Sequence, residues 1–295
     1  MKRKLYELAS AKINLTLKIK GRRDDGFHKV SSLVAFTEVG DVVCGSCAKD
    51  MSLDITGPFA PHVSSGTNLV VRAAQTFFQE MSLQPCTQFM LEKNLPVASG
   101  IGGGSADAAA TLRLLARLHR ENIKSEEDIE PERLQRLACV LGADVPVCLG
   151  GQPAMVSGIG EQVEPLESFP TVSVVLINLG VGVSTAKVFR AFAEKAVVSD
   201  TSACNLPVFR DAYDIADWCR DQGNDLTVAA CGIAPEIADV LYRLENIPLC
   251  LLARMSGSGD TCFALFAEHE EAQSAAQRTK NETGWWVCAS RLRGV

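Results

Sequence analysis

The chain has 295 residues, 47% of them hydrophobic and 22% charged, which is the composition of a globular protein of about two domains. Its formal net charge of -6 at pH 7 argues against a broad basic surface for nucleic acid. A small anion needs only a local positive site, so an anionic small molecule stays open as a ligand. The composition therefore excludes general disorder and disfavours nucleic acid as a partner.

The cysteines and the N-terminal residues indicate in which cellular compartment we expect the protein. Eleven cysteines are scattered along the chain, and the first residues, MKRKLYELASAK, lack the apolar run of a signal peptide. No stretch approaches the roughly 18 consecutive apolar residues of a membrane span. We therefore expect a cytoplasmic protein with no membrane partner, in which most cysteines are small buried hydrophobes. The lone CGSC pair at 44–47 is half of a tetrahedral zinc site, so we expect no metal there.

Hydrophobic periodicity predicts the elements of the N-terminal half. Residues 12–21, KINLTLKIKG, alternate apolar and polar residues, which predicts a strand. The apolar face of that strand would consist of Ile13, Leu15, Leu17 and Ile19. The further predicted elements, in chain order, are a turn at 22–26, strands within 30–44, a helix over 68–81 and a strand over 87–93.

The second half begins with a charged connection over 119–133, which we expect to be solvated. Pro131 and Gly142 suit the first turn and the end of a helix between them. The further predicted elements are a buried strand over 172–180 and a strand, glycine turn and strand over 250–266. The Gly- and Pro-rich stretch at 150–165 is the candidate domain boundary.

A glycine-rich loop precedes an alanine-rich helix in LPVASGIGGGSADAAATLRLL, residues 95–115, with four glycines in the five positions 100–104. Residues without Cβ let a polyanion approach backbone N–H groups, and a helix N-terminus adds its own N–H groups and positive dipole end. We expect Ser105 to cap the helix and Asp107 to lie in its first turn. The loop lacks the lysine of a Walker loop and the glycine spacing of a dinucleotide fingerprint. Because four glycines exceed the need of a turn, we predict an anion cradle, with a tightly packed strand-to-helix turn as the alternative.

These residues also carry a family resemblance. PVASGIGGGSA, residues 96–106, resembles the Pro-x-x-x-Gly-Leu-Gly-Ser-Ser-Ala phosphate loop of the GHMP kinases. Three further segments resemble family motifs in the same order: AKINLTLKIKGRRDDGFH at 11–28, GADVPVC at 142–148 and MSGSGDTCFALF at 255–266. The first and last of these are closest to the branch that phosphorylates a cytidylylated methylerythritol in the non-mevalonate isoprenoid pathway.

The resemblance implies an α/β (α+β) fold with two GHMP kinase domains. They would be an ATP-binding N-terminal domain over residues 1–157 and a C-terminal domain over 158–295, the second ferredoxin-like, with the active site in the interdomain cleft. The implied reaction is ATP- and Mg²⁺-dependent transfer of a phosphoryl group to the 2-hydroxyl of a small molecule that carries a cytidine diphosphate group. The resemblance says nothing about whether the protein is a monomer or a homodimer.

The resemblance also implies catalytic and nucleotide-binding residues. Asp144 corresponds to the family's general base, and Lys12 to the partner that orients the nucleophile and stabilises transferring charge. From local sequence alone, Asp144 is a polar turn residue and Lys12 a charge on the polar face of a strand. The implied nucleotide-binding residues are Asn68, Leu69, Lys93, Pro96, Gly100, Gly102, Gly103, Gly104, Ser105 and Ala106. For Leu69, core packing is nearly as good an explanation, and Ser105 is also a candidate contact to Mg²⁺.

Cytosine recognition distinguishes the implied branch from its relatives. Residues 25–28, Asp-Gly-Phe-His, match its Asp-Gly-Tyr-His, with His28 bonding the base edge and Phe27 stacking on it. Phe189 would form the opposite wall, each stacking contact being worth roughly 1–3 kcal/mol. The implied further substrate contacts are Asn14 and Thr185. Phe27 replaces the usual tyrosine, which keeps a stacking face and loses a hydroxyl.

Other functions stay open at this point. A GHMP kinase with another small alcohol substrate would have no need of the DGFH segment. A non-catalytic nucleotide-binding protein would bind ATP without turnover and could dispense with Asp144. Asp260 replaces the more usual alanine in the last motif, and the resemblance implies no function for it.

Overall fold

The structure is a computed structural model that describes residues 3–64, 66, 68–123, 129–195 and 206–295. The chain divides into two compact units whose segments interleave along the sequence. The first unit comprises Met1–Ala11, Gly40–Val97 and Gly102–Gly151; the second comprises Lys12–Val39, Ala98–Ile101 and Gln152–Val295. The domain boundary at 157/158 stays a prediction.

Strands and helices are present in both units. The strands are β1 (Leu5–Asn14), β2 (Lys18–Arg22), β3 (His28–Cys47), β4 (Ser52–Thr56), β5 (Thr87–Glu92), β6 (Ala154–Gly158), β7 (Gln162–Pro165), β8 (Val172–Asn178), β9 (Leu252–Met255), β10 (Thr261–Phe266) and β11 (Trp286–Leu292). The helices are α1 (Leu69–Glu80), α2 (Gly103–Ile123), α3 (Pro131–Leu141), α4 (Val145–Gly150), α5 (Thr185–Lys195), α6 (Ala212–Gln222), α7 (Thr227–Ile233), α8 (Glu236–Glu245) and α9 (His269–Glu282).

In the first unit, helices α1, α3 and α4 pack around α2. Strand β5 pairs in parallel with β4 and antiparallel with the C-terminal part of β3. The first turns of α2 bury a run of small residues, and the fully buried members are Ala108, Ala109 and Ala110. Because alanine adds little bulk, the other helices can approach α2 closely.

In the second unit, β11, β8, β10 and β9 form an antiparallel sheet in that order. Helices α5 to α8 connect β8 to β9, and α9 connects β10 to β11. This β-α-β-β-α-β order is the predicted ferredoxin-like arrangement. Every residue of β8 is buried, as its continuous apolar run predicted.

Most predicted elements are confirmed, including helices α1 and α3, strands β5 and β8, and the hairpin of β9 and β10. Pro131 lies in the first turn of α3, and Gly142 follows its last residue. Residues 124–128 of the predicted charged connection lie outside the described residues. Among the described helices, none is long and apolar enough to cross a membrane.

The prediction of one strand over 12–21 is wrong. Strand β1 ends at Asn14 and β2 begins at Lys18, because the intervening residues change partners. The N–H of Leu15 donates to the carbonyl of Leu33, whereas the N–H of Leu17 donates to that of Gly223. The expected alternation also fails, since all residues from 9 to 14 are buried, Lys12 included. Lys12 therefore does not lie on a polar face.

The expectation that most cysteines are buried is also wrong. Of the ten described cysteines, four are buried, four are half-buried and two, Cys86 and Cys139, are exposed. Cys204 lies outside the described residues. All ten described cysteines are free thiols.

Candidate active site

The glycine loop leads into α2 three residues earlier than predicted. The helix begins at Gly103, so Ser105 lies inside its first turn and is not its cap. Gly102, with a left-handed φ of 66°, turns the chain, and its carbonyl accepts the N–H of Ala106 at 2.8 Å. Gly102 adopts this left-handed φ without strain because it has no Cβ.

A phosphate group fits this helix start. The first hydrogen bond of α2 runs from the N–H of Ala106 to the carbonyl of Gly102. The N–H groups of Gly103, Gly104 and Ser105 come before it in the chain, and such N–H groups have no acceptor within the helix. Gly104 is exposed. The positive end of a helix of 21 residues adds to the attraction for an anion.

Packing explains the glycines of this helix start as well. A Cβ on Gly103 would lie 3.2 Å from Lys93 Nζ, and one on Gly104 would lie 3.2 Å from Leu69 Cδ1. The number of glycines therefore does not discriminate between an anion cradle and a tight turn. The feature that favours an anion cradle is the N-terminus of α2.

Lys93 lies in a buried cluster of three charged side chains. Its ammonium donates to Asp41 and, at 2.8 Å, to Oδ2 of Asp107. All three side chains are at most 5% exposed. Burial opposes the charge on Lys93, but the two carboxylates outweigh it and raise the lysine pKa. Burial also raises the pKa of Asp107 to about 7, although the Lys93 ammonium opposes that shift.

The cluster changes the interpretation of two residues. Because α2 begins at Gly103, Asp107 lies beyond its first turn, so the expectation that it lies in that turn is wrong. Its side chain is buried against Lys93. Its Oδ1 atom is buried without a hydrogen-bond partner among the described residues. The Lys93 side chain is held by carboxylates, and its contact with adenine stays a prediction. The sequence carried no signal for Asp41, which lies 52 residues from Lys93.

The cluster also fixes the backbone before the glycine loop. Oδ1 of Asp41 accepts the N–H groups of Asn94 at 2.6 Å and of Leu95 at 2.8 Å, and the next residue, Pro96, is buried. Asn68 caps α1 by accepting the N–H of Val70 at 2.8 Å. This cap places Leu69, which is half-buried, at the start of α1 next to Gly104.

Asp144, the candidate general base, lies in the short connection between α3 and α4. It is half-buried and occupies the N-cap position of α4, without capping that helix through its side chain. Its backbone carbonyl accepts the N–H of Cys148 at 3.2 Å.

In the second unit, three sequence motifs meet around Lys12 and Asn14. Lys12 is 4% exposed, and its N–H donates to the carbonyl of Ile101 at 2.9 Å. The N–H of Asn14 donates to Oγ of Ser256 at 3.1 Å, and that hydroxyl donates to the carbonyl of Gly100 at 3.2 Å. Residues far apart in sequence, from motifs at 11–28, 96–106 and 255–266, are therefore joined by hydrogen bonds.

Two glycines in this region touch each other through their backbones. Gly100 has a left-handed φ of 73°, and a Cβ on it would lie 2.7 Å from Cα of Gly259. A Cβ on Gly259 would lie 2.5 Å from Cα of Gly100. Neither position can take a larger residue without a shift of the backbone.

Two of the residues predicted to bind cytosine are in contact. The rings of His28 and Phe189 lie 5.1 Å apart, with their planes tilted by 34°. Phe27 is 59% exposed, and its part in a slot with Phe189 stays a prediction. Burial, with a smaller contribution from Arg22, lowers the pKa of His28, so its ring is neutral at pH 7. Sequence reasoning missed Phe192, whose ring meets the His28 ring edge-on at 6.5 Å.

Thr185 begins α5, the helix that carries Phe189 one turn later. Its Oγ1 accepts the hydroxyl of Ser258 at 2.8 Å, which joins the start of α5 to the turn between β9 and β10. Sequence reasoning did not single out Ser258, although it lies in the recognised MSGSGDTCFALF segment.

No metal-ligand set is evident in the described part of the chain. No three of its His, Cys, Asp and Glu side chains are grouped as metal ligands. A phosphate-bound Mg²⁺ needs few protein ligands, since it keeps waters and binds through substrate phosphates.

Comparisons with known proteins agree with this geometry. Residues 68–152 match the profile of the GHMP kinases N terminal domain, and residues 211–283 match that of the GHMP kinases C terminal. The chain is 44% identical, over 98% of its length and 98% of the relative, to the 4-diphosphocytidyl-2-C-methyl-D-erythritol kinase of Parvibaculum lavamentivorans. It is 45% identical, over 97% of its length and 98% of the relative, to the enzyme of that name from Cereibacter sphaeroides.

Solved structures give the same result. The crystal structure of a 4-(cytidine 5'-diphospho)-2C-methyl-D-erythritol kinase has a TM-score of 0.76 at 31% identity, and the alignment covers 99% of this chain and 100% of that one. A homoserine kinase from Cytophaga hutchinsonii shares the fold, with a TM-score of 0.70 at 17% identity, over 99% of this chain and 95% of that one. By its sequence identity over almost its whole length, the chain belongs to the 4-diphosphocytidyl-2-C-methyl-D-erythritol kinase family of the GHMP kinases.

Proposed function

We propose that the protein transfers the γ-phosphoryl group of ATP to the 2-hydroxyl of 4-diphosphocytidyl-2-C-methyl-D-erythritol, in the methylerythritol phosphate pathway of isoprenoid precursor synthesis. The observation that carries this proposal is identity of 44–45% to kinases of that name over at least 97% of the chain. The residues of the second unit that the family resemblance assigns to the cytosine, His28 and Phe189, are also in ring contact.

For ATP, we propose that the start of α2 holds the phosphates. The support is the group of amides at Gly103, Gly104 and Ser105 together with the helix dipole. Mg²⁺ bound with the phosphates would neutralise charge, and Ser105 is the candidate protein contact to it. The N-terminal domain, residues 1–157, is proposed as the ATP-binding domain.

For the chemical step, we propose Asp144 as the general base. Its carboxylate takes the proton of the 2-hydroxyl as that oxygen forms a bond to the γ-phosphorus, and the bond from phosphorus to the leaving oxygen of ADP breaks. Lys12 is proposed to orient the hydroxyl and to stabilise the transferring charge. A buried ammonium is effective in this role because little water screens it, and Lys12 is 4% exposed.

For the cytidylyl end, we propose that His28 bonds the base edge and that Phe189 stacks on the base with Phe27 opposite. A neutral imidazole has one donor and one acceptor nitrogen, which suits a base edge that presents both. The lowered pKa of His28 supports the neutral form. Asn14 and Thr185 are proposed as further substrate contacts.

The test is an ADP-release assay with ATP and Mg²⁺ in which four alcohols are offered separately. Turnover is expected with the cytidylylated methylerythritol and not with mevalonate, homoserine or galactose. Turnover with one of the other alcohols alone would overturn the substrate and keep the kinase. ATP binding without turnover of any alcohol would instead support the non-catalytic alternative.

The Asp144→Asn variant tests the chemical step. We expect kcat to fall by about 10²–10⁴, the usual contribution of a general base, with little change in stability. Asp54→Asn, in the exposed part of β4, is the matched control and should keep wild-type kcat. A loss of less than tenfold in Asp144→Asn would show that another group accepts the proton.

A further inference from the structure

The proposed reaction assigns no role to Asp260, although this residue lies in the MSGSGDTCFALF segment. It directly precedes β10 and is 1% exposed. A buried carboxylate is costly unless hydrogen-bond donors satisfy it, so its partners indicate why it is kept.

Both oxygens of Asp260 accept hydrogen bonds, one from the last residue of β8 and one from the segment that follows it. Oδ1 accepts from the side-chain amide of Asn178 at 2.9 Å, and Oδ2 accepts from the backbone N–H of Gly182 at 3.0 Å. Asn178 also accepts the N–H of Gly180 at 3.0 Å and donates to the hydroxyl of Thr261 at 2.8 Å. Two side chains therefore hold the backbone of residues 180–182.

The two glycines of this segment contribute no side-chain packing. Gly180 and Gly182 have left-handed φ values of 72° and 64°, and nothing lies within 4 Å of where a Cβ would be on either. Val181 between them is 45% exposed, whereas Val183 is buried. Two glycines with open surroundings make a mobile loop unless hydrogen bonds restrain it.

The restrained segment leads directly into α5 and its two proposed substrate contacts. Thr185 is the first residue of α5, and Phe189 lies one turn later on the same face. The turn between β9 and β10 thus holds this region at two points, Ser258 to Thr185 and Asp260 to Gly182. The Phe189 ring in turn contacts His28.

We propose that Asp260 is a positioning residue, which with Asn178 latches residues 179–184 to the β9–β10 turn and thereby fixes Thr185 and Phe189 for the cytidylyl end of the substrate. The assignment rests on the proposed function, because it takes that end of the substrate as the ligand of Phe189. Alanine, the more usual residue in this motif, cannot accept either hydrogen bond, so the latch is specific to chains that carry an acceptor here.

The experiment compares Asp260→Ala with wild type by three measurements: amide exchange of residues 179–184, CDP affinity by calorimetry, and steady-state KM for each substrate. We expect faster amide hydrogen exchange at residues 180–182 and CDP binding weaker by about three- to tenfold. KM for the cytidylylated substrate should rise by the same factor by which CDP binding weakens. KM for ATP should stay within about twofold. Asp260→Asn keeps one of the two acceptors and should give intermediate values, which covers the case in which the alanine variant fails to fold.

The matched control is Asp211→Ala. The Asp211 carboxylate also accepts two backbone N–H groups, those of Tyr213 and Asp214 at 2.9 and 3.0 Å, but it caps α6. Its removal should lower stability without changing loop exchange, CDP affinity or either KM.

Unchanged exchange at 180–182 in Asp260→Ala would overturn the latch. Faster exchange with unchanged CDP affinity, or an equal rise in both KM values, would overturn its link to the cytidylyl end. If wild type bound CDP but did not turn over the cytidylylated substrate, the proposed function would fail, while exchange and CDP affinity would still decide the latch.

Discussion

In the first unit, the glycines of the phosphate loop lie against the ends of side chains, whereas in the second they lie against backbone. Gly103 and Gly104 face Lys93 Nζ and Leu69 Cδ1, while Gly100 faces Gly259. The surroundings differ in the same way, with buried charges in the first unit and hydrogen bonds of Ser256 in the second. The end of a side chain can move by a few tenths of an ångström more easily than backbone can. Glycines in the two units should therefore differ in how well they tolerate substitution by alanine.

The charged surroundings are tested most directly by Lys93→Met. The variant leaves Asp41 and Asp107 buried beside each other without a cation, and we expect the free energy of unfolding to fall by about 3–5 kcal/mol. Urea unfolding measures it. Lys18→Met is the control, because Lys18 pairs with Asp225 in a half-exposed ion pair and should cost less than about 1 kcal/mol. Similar losses in the two variants would show that the cluster does not depend on its lysine.

The backbone contact is tested by Gly259→Ala. Its Cβ would lie 2.5 Å from Cα and 2.6 Å from N of Gly100, so the two turns must separate. We expect a loss of about 3 kcal/mol or more by the same unfolding measurement. Gly232→Ala, within α7 and with nothing near its Cβ, should be neutral or slightly stabilising. A Gly259→Ala protein as stable as Gly232→Ala would contradict the close approach.

The charge state of the cluster is tested by Asp107→Asn across pH. Burial raises the pKa of Asp107 to about 7, so between pH 4 and pH 7 the folded chain holds a proton that the unfolded chain has lost. Wild-type stability therefore falls as pH rises through this range. Asparagine does not titrate, and we expect Asp107→Asn to gain about 2–3 kcal/mol on wild type between pH 5 and pH 8. A stability difference between Asp107→Asn and wild type that does not change with pH would contradict the raised pKa.

The smallest change in stability is expected for Gly104→Ala, which separates packing from anion binding. Alanine favours the helix by about 1 kcal/mol, and the end of the Leu69 side chain can move away from the new methyl group. Stability should therefore stay within about 1 kcal/mol of wild type. KM for ATP should rise by about tenfold, because the methyl group lies where we propose the phosphates approach the amides. An unchanged KM for ATP would favour the tight-turn explanation of this glycine.

The local sequence pattern was sufficient to predict most helices and strands and the segment that carries the candidate phosphate site. The apolar run of β8, the periodicity of α1 and the Pro131 and Gly142 signals of α3 each act within a few residues, so they are visible in sequence. The same holds for the glycine loop before α2, although its helix starts at Gly103 rather than after Ser105. The family resemblance added roles for Asp144 and Lys12 that local pattern did not suggest.

Long-range contacts determine the features of the fold and of the candidate site that the sequence did not predict. Asp41 and Lys93 are 52 residues apart, Asn14 and Ser256 are 242 apart, and Asn178 and Asp260 are 82 apart. No periodicity relates such pairs, because burial and partner choice depend on how strands and helices pack. For this reason a charge expected on a polar face, Lys12, is buried, and a motif residue without a known role, Asp260, holds the loop before α5.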